Sequence, residues 1–363
     1  MSDQIPFHIQ EEIMKRLPVK SLVQFRCVSK AWRSLIDSSE FIAAHSLRRH
    51  TQPHYLLVSY EDPFVEDGYV FFSGCYTNDD SFPQESSVPT LPQSVKQLHL
   101  LSVVGSSQGL LCLYGSHPNF QTHMAVLWNP SIRKSIAVLM PDFGVCPSTG
   151  DPIKPSIGFG VCPVSNDPEI VAITRPSEFM IYTLSTGKWR SLPTNLPPRR
   201  IQGFFYSVVT NRFIYWVVKL KDLKMIMSFD LIRETFDLID LPDSLASCYL
   251  RISNLSDSLA ILLDGDDYNS SIVWIMEVGA RRSFTKLFTI TTPHEDIVGF
   301  SNNGIPIMTV VDDDDDDMKK LVVYETNSEH NIVLEICNFP YLCDVHSYIE
   351  TLLLLGRSDY ASY

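Results

Sequence analysis

The chain has 363 residues, 45% of them hydrophobic and 20% charged, with a net charge of −13. That is ample material for a large core plus a small extra module, and the acidic balance argues against unspecific binding to phosphate backbones, hence against nucleic acid as ligand. The longest purely aliphatic run, Leu352 to Leu355, is far short of the roughly 20 residues that span a bilayer, so no membrane partner is expected.

The first forty-odd residues read as helices. Pro6 sits where a first turn tolerates proline, and Ile9, Ile13 and Leu17 follow at i, i+4 and i+8 as one apolar stripe opposite Gln10, Glu11, Lys15 and Arg16. Pro18 stops that helix and can open the next, in which Val19, Leu22 and Val23 form a second stripe. Ser29 is an N-cap candidate for a third helix carrying Trp32, Leu35 and Ile36, and Phe41, Ile42 and His45 suggest a fourth. A segment this short does not usually fold alone without a disulfide, a metal or a partner, so its stripes must be covered by the rest of the chain, by another protein, or by both. The plainer reading is a helical cap packed wholly on its own domain.

The string Arg16-Leu17-Pro18-Val19-Lys20-Ser21-Leu22, joined to Phe25-Arg26-Cys27-Val28-Ser29-Lys30-Ala31-Trp32, resembles the F-box over residues 3 to 46. The F-box is the helical module by which receptor proteins bind the Skp adaptor of Skp/cullin/F-box ubiquitin ligases. The resemblance implies that Pro6, Ile9, Ile13, Leu17, Pro18 and Leu22 face the adaptor and that Val28, Trp32 and Leu35 pack the helices together. Two departures, His8 where an acidic residue is frequent and Ile9 where leucine is common, leave the apolar anchor in place. Charge agrees with two unlike parts: residues 1 to 50 carry a net +3 and the remainder −16. A basic head is steered toward an acidic partner.

From His54 onward short strands replace helical stripes. Apolar runs recur at His54 to Tyr60, Leu110 to Tyr114, Ile170 to Thr174, Phe213 to Val218, Leu259 to Leu263 and Ile305 to Val311, some 43 to 60 residues apart. A second register repeats with them, an aromatic strand end, a polar turn and a new strand: Trp128 to Lys134, Tyr182 to Trp189, Phe229 to Phe236 and Tyr324 to Glu329, with Met276 to Arg281 a looser copy. Repeated four-stranded units of about 40 to 50 residues predict a β-propeller, and six units fit the count. Tyr348 to Gly356 reads as a last strand and His54 to Gly74 as a first unit with no innermost strand, so the two can complete one blade and remove an open edge. A β-sandwich or two separate β domains is the alternative.

Gly109-Leu110-Leu111-Cys112, Trp128-Asn129-Pro130-Ser131, Gly158-Phe159-Gly160, the Phe229 to Phe236 stretch and Tyr348-Ile349-Glu350-Thr351-Leu352 together resemble the F-box-associated interaction domain of plant-type F-box proteins, a relative of kelch-repeat arrays. The resemblance implies that this part selects a protein for ubiquitination. The expected organisation is multidomain α+β: an all-α F-box over residues 1 to 48, then an all-β, six-bladed propeller-like domain over residues 49 to 363.

Chemistry-bearing patterns are few. Gly105-Ser106-Ser107-Gln108-Gly109 matches GxSxG, yet Leu110 to Tyr114 continues as a strand where a nucleophile elbow needs a helix, so Ser107 reads as part of a turn. Gly158-Phe159-Gly160 lacks the third glycine of a dinucleotide loop and reads as a strand turn. Asp312 to Asp317 invites a calcium reading, but Asp317 and Val323 stand where such a loop needs glycine and glutamate, which favours a solvated acidic loop. The eight cysteines form no CxxC pair and read mainly as free buried thiols. No metal or cofactor is expected. Met1-Ser2-Asp3-Gln4 is polar and no apolar leader core follows it, so a cytoplasmic or nuclear setting is expected.

The expected function is therefore that of a non-catalytic receptor. The helices would hold a Skp-type adaptor and, through it, cullin and RING subunits, while the propeller holds an unknown target. Arg199-Arg200, Lys219 to Lys224 and Arg281-Arg282 are exposed-loop guesses for target contacts. The competing readings are a protein-binding or lectin-like receptor acting outside the ligase, and a propeller hydrolase.

Overall fold

The computed structural model describes residues 5–47, 54–62, 68–76, 91–117, 122–145, 153, 155–174, 178–194, 196, 201–220, 223–265, 270–277, 282–291, 296–301, 303–312, 315–324, 332–339 and 343–356. Four helices come first: α1 (Phe7–Met14), α2 (Val19–Phe25), α3 (Lys30–Ile36) and α4 (Ser39–Ser46). Pro6 and Pro18 stand directly before α1 and α2, where a missing N–H costs nothing. Ser29 and Ser38 cap α3 and α4, each hydroxyl accepting the N–H three residues on, from Trp32 at 3.1 Å and from Phe41 at 3.2 Å. α1 ends at Met14, so Leu17 falls in the turn after it, and the stripe expected at i, i+4 and i+8 holds only for Ile9 and Ile13.

The rest is built of antiparallel sheets. The first holds β1 (His54–Asp62) and β2 (Gly68–Tyr76). A short helix α5 (Gln93–Lys96) leads to β3 (His99–Ser107), β4 (Leu110–His117), β5 (Thr122–Asn129) and β6 (Lys134–Leu139). There follow β7 (Ser156–Val161), β8 (Pro168–Thr174), β9 (Glu178–Thr183) and β10 (Lys188–Ser191), then β11 (Ile201–Val209), β12 (Phe213–Leu220), β13 (Leu223–Asp230) and β14 (Thr235–Asp240). After helix α6 (Asp243–Ala246) come β15 (Leu250–Leu255), β16 (Ser258–Asp264), β17 (Ser270–Glu277) and β18 (Ser283–Thr291). The last sheet holds β19 (Asp296–Phe300), β20 (Pro306–Asp312), β21 (Asp315–Val323) and β22 (Ile332–Phe339), and β23 (Cys343–Ile349) ends the series.

Five of these sheets have four strands in sequence order, each a propeller blade. The expected count of six four-stranded units is corrected to five: the remaining sheet has three strands among the described residues, ordered β2-β1-β23. Neighbouring first strands touch from β3 through β7, β11, β15 and β19 to β23, which returns to β3. β23 thus supplies the innermost strand that the first unit lacks, pairing with β1 from His54↔Ile349 to Tyr60↔Cys343. The strand expected over Tyr348 to Gly356 stops at Ile349; Leu352 to Leu355 instead form a buried turn.

The sequence period has a physical basis. Its six apolar runs are β1, β4, β8, β12, β16 and β20, the second strands, which are covered on both faces by neighbouring blades. The second register marks the turns between third and fourth strands, where a side chain at the strand end often accepts backbone N–H groups. Asn129 Oδ1 accepts from Ser131 at 3.0 Å, and Asp230 Oδ1 accepts from Ile232 at 2.9 Å. The residue before the fourth strand is left-handed at Arg133, Gly187 and Glu234. Of Tyr324 to Glu329 only Tyr324 lies within the described residues, as does Met276-Glu277 of the looser copy.

Candidate partner-binding face

α1 turns its apolar stripe outward. Ile9 and Ile13, one turn apart, are 42% and 47% exposed, and Ile5 and Phe7 stand open just before them. Scattered exposed apolar residues are ordinary; four within nine residues of a small module are a feature that a partner can cover. The opposite side of α1 is committed to the module's own core through Met14.

Polar ties hold the stripe in position. Trp32 Nε1 donates to Gln10 Oε1 at 2.9 Å, fastening α3 to α1, and the Trp32 ring packs on Phe25 of α2 with centroids 5.3 Å apart. His45 Nε2 donates to the Leu17 carbonyl at 3.0 Å, which ties α4 to the turn after α1. Arg26 forks onto Asp37, Nε to Oδ1 at 2.6 Å and Nη2 to Oδ2 at 2.9 Å, clamping the ends of α2 and α3. Lys15 pairs with both Glu11 and Glu12, at 2.9 and 2.8 Å, and Arg33 lies 3.7 Å from Asp37, whereas Arg16, Lys20 and Lys30 are exposed beside one further exposed acid, Glu40, so the module's surface is mildly basic. Such a surface complements an acidic partner.

Residues 2–43 match the F-box domain, and residues 56–327 match the F-box associated beta propeller domain, three quarters of the chain. The chain belongs to the F-box-associated β-propeller family. Its relatives include two Arabidopsis thaliana proteins, F-box protein At2g21930, 28% identical over 79% of this chain and 72% of the relative, and F-box protein CPR1, 24% identical over 98% and 90%. Among solved structures, TolB from Acinetobacter baumannii is similar in fold, with a TM-score of 0.50 at 12% identity, covering 86% of this chain and 73% of that one.

The F-box residues expected to face the adaptor divide into three groups. Pro6, Ile9, Ile13 and Pro18 are exposed; Leu17 is half-buried and packs on the module's core; Leu22 is fully buried within it. Leu22 is corrected to a core residue, because the face of α2 bearing Val19 and Leu22 turns toward the other helices and toward Leu352 and Leu355. Trp32 and Leu35 are half-buried against the module's core, whereas Val28, expected to pack there, is 63% exposed in the turn between α2 and α3. Sequence reasoning missed Ile5 and Phe7 as exposed apolar residues and Met14 as the buried one of α1. The signal was Met14 standing one residue past Ile13, hence 100° around the helix from it.

Ser107 and Leu110 flank a tight β3–β4 turn through Gln108 and Gly109, as expected, and Ser107 Oγ accepts the Val161 N–H at 3.0 Å. Gly109 has φ +81°, and a Cβ there would meet the Ile349 carbonyl oxygen at 2.2 Å. Gly158-Phe159-Gly160, expected in a turn, lies within β7, where the two glycines let Trp216 and Leu231 approach the backbone. The acidic run expected as a loop ends β20 and begins β21, with only Asp313 and Asp314 outside the described residues. No group of three or more His, Cys, Asp or Glu among the described residues could hold a metal ion. Of the cysteines whose side chains are described, Cys112 and Cys162 are buried, Cys248 is half-buried and Cys27 is exposed, none of them bridged. Burial pushes the Cys112 thiol far up, leaving it inert.

Of the target-contact guesses, Arg199, Arg200, Lys221, Asp222 and Arg281 lie outside the described residues. Lys224 donates to the Cys248 carbonyl at 2.7 Å, and Arg282 reaches Ser228 and Asp237 at 3.2 and 3.1 Å, which gives both a role within the propeller.

Proposed function

We propose that the chain is the target-recognition subunit of a Skp/cullin/F-box E3 ubiquitin ligase, working in the cytoplasm, the nucleus or both. The F-box helices capture a Skp-type adaptor and thereby the cullin and RING subunits; the propeller captures a protein target. No bond is made or broken by this chain. Its contribution is proximity, because a target held beside activated ubiquitin presents its lysines at a high effective concentration.

The observation that carries the reading is the division of the helical residues: Met14, Leu22, Ile36 and Phe41 are used up inside, while Ile9 and Ile13 stay open on a basic module. The F-box packs at the end of the ring formed by the third-to-fourth-strand turns, since Ile132 of the β5–β6 turn joins its core. Target capture is assigned to the opposite end, formed by the second-to-third-strand turns and the connections between blades, where Leu223 and Tyr249 are exposed.

Co-purification with a Skp-type adaptor tests this. The wild-type chain should co-elute with it, and Ile9→Asp with Ile13→Asp should abolish co-elution without changing thermal unfolding. Absence of a wild-type complex, or an undiminished complex in the double variant, would reject the ligase reading in favour of a receptor acting alone.

A further inference from the structure

The F-box does not close its own core. Leu352 and Leu355 lie among Met14, Val19, Leu22, Ile36 and Phe41, residues drawn from all four helices, and Leu352 is fully buried. Leu353 and Leu354 join a different core, between the β3–β6 and β7–β10 blades. The backbone achieves this division with a turn: Leu355 N–H donates to the Leu352 carbonyl at 3.0 Å, and Leu354 takes φ +73°, a conformation unusual for leucine.

The propeller grips this turn by its backbone. Asn129, itself fully buried, donates both amide hydrogens, to the Thr351 carbonyl at 2.9 Å and the Leu353 carbonyl at 2.8 Å. Lys134 Nζ reaches the Leu355 carbonyl at 3.3 Å, and Thr351 Oγ1 accepts the Leu353 N–H at 3.2 Å. In the β11–β14 blade the residue corresponding to Asn129 is Asp230, which cannot donate and pairs with Arg212. The amide at 129 thus suits carbonyl acceptors that the other turn does not meet. On the helical side, Glu350 lies near the start of α2, where Pro18 offers no side-chain cap: burial raises its carboxyl, against a partial offset from the Val19 N–H, Tyr55 and Lys20. A Cβ at Gly356 would lie 3.1 Å from the Asp37 carbonyl oxygen at the end of α3.

We infer that Glu350–Leu355 is a fifth element of the F-box, a strut that shapes its four helices and fixes their angle to the ring. The adaptor-facing stripe and the far end of the propeller are then held at one separation and one orientation. On the ligase reading above, capture of the adaptor depends on residues more than 300 positions downstream of the helices that make the contact.

Hydrogen exchange on the full chain tests the strut without any adaptor, using Asn129→Ala, which releases the turn from the propeller, and Leu352→Ala, which withdraws it from the helices. Each variant should speed amide exchange in α1 to α4 by about tenfold or more, the scale of losing one or two buried interactions, while β15 to β18 exchange as before. A parallel titration with a Skp-type adaptor should show weaker binding by both variants. Helices that keep their protection in both would overturn the inference, as would protection lost evenly across helices and blades. A wild-type chain that binds no adaptor would instead sink the ligase reading, leaving exchange to decide the strut.

Discussion

The indole nitrogen of Trp32 donates a 2.9 Å hydrogen bond to Oε1 of Gln10, joining the third helix of the F-box to the first. Gln10 in turn donates from Nε2 to the Ile5 carbonyl at 2.7 Å, so the same bond steadies the chain leading into α1. Trp32→Phe keeps a ring against Phe25 and removes only the donor. It should cost about 1 kcal/mol of stability, the net worth of one partly buried hydrogen bond, read as a small fall in the denaturant midpoint at unchanged slope.

Leu22 and Ile9 should behave oppositely. Leu22→Ala empties a fully buried position and is expected to cost about 2–5 kcal/mol. Ile9→Ala changes a half-open position and should leave unfolding within about 0.5 kcal/mol of wild type while weakening adaptor binding. Chemical denaturation beside calorimetric titration separates the two effects. Equal stability losses would show that Ile9 belongs to the core.

Gly158→Ala tests the close approach of neighbouring blades. The new Cβ would stand 2.3 Å from Cζ2 of Trp216 and 2.6 Å from Cγ2 of Ile214, both buried and hemmed in, so a loss of about 1–3 kcal/mol is expected. Gly105→Ala is the control, since nothing lies within 4 Å of its Cβ position. Thermal unfolding should drop for the first and stay put for the second.

Glu169 sets a pH dependence. Burial, then the nearby charges of Glu234 and Asp167, raise its carboxyl to about 8 from an ordinary 4.5, against a partial offset from Arg190. The folded chain therefore holds a proton that the unfolded chain releases between those two values, and stability from this group is full below 4.5 and declines as pH climbs toward 8. Glu169→Gln should match wild type near pH 4 and exceed it above pH 8, by on the order of 2 kcal/mol. Unfolding free energies measured at both ends of the range check this, and parallel curves would refute it.

The architecture was legible wherever burial writes a pattern along the chain. Second strands such as β8 and β12 are covered on both faces, so they are nearly continuous apolar runs, and their spacing exposed the repeat. The outer strands were harder to read: β10, Lys188 to Ser191, has almost no buried residue and carries no pattern of its own. At the candidate site, Ile9 and Ile13 were visible as a one-turn pair. The fate of Leu22 was not, because whether an apolar residue meets a partner or its own chain depends on Leu352 and Leu355, whose approach no local spacing announces. The glycines of β7 misled for a similar reason, since their cause, the Trp216 ring, stands in the next blade.

The seven-residue register between β1 and β23, from His54↔Ile349 to Tyr60↔Cys343, also governs the order in which the molecule can be completed. During synthesis β1 leaves the ribosome before all five four-stranded blades and must wait, one edge unsatisfied, until β23 follows them. A transcript cut short between the codons for Phe339 and Cys343 would yield every four-stranded blade and still no ring. Such a product would carry a bare strand ready to pair with its own kind, which makes β23 the segment on which quality control of this polypeptide turns.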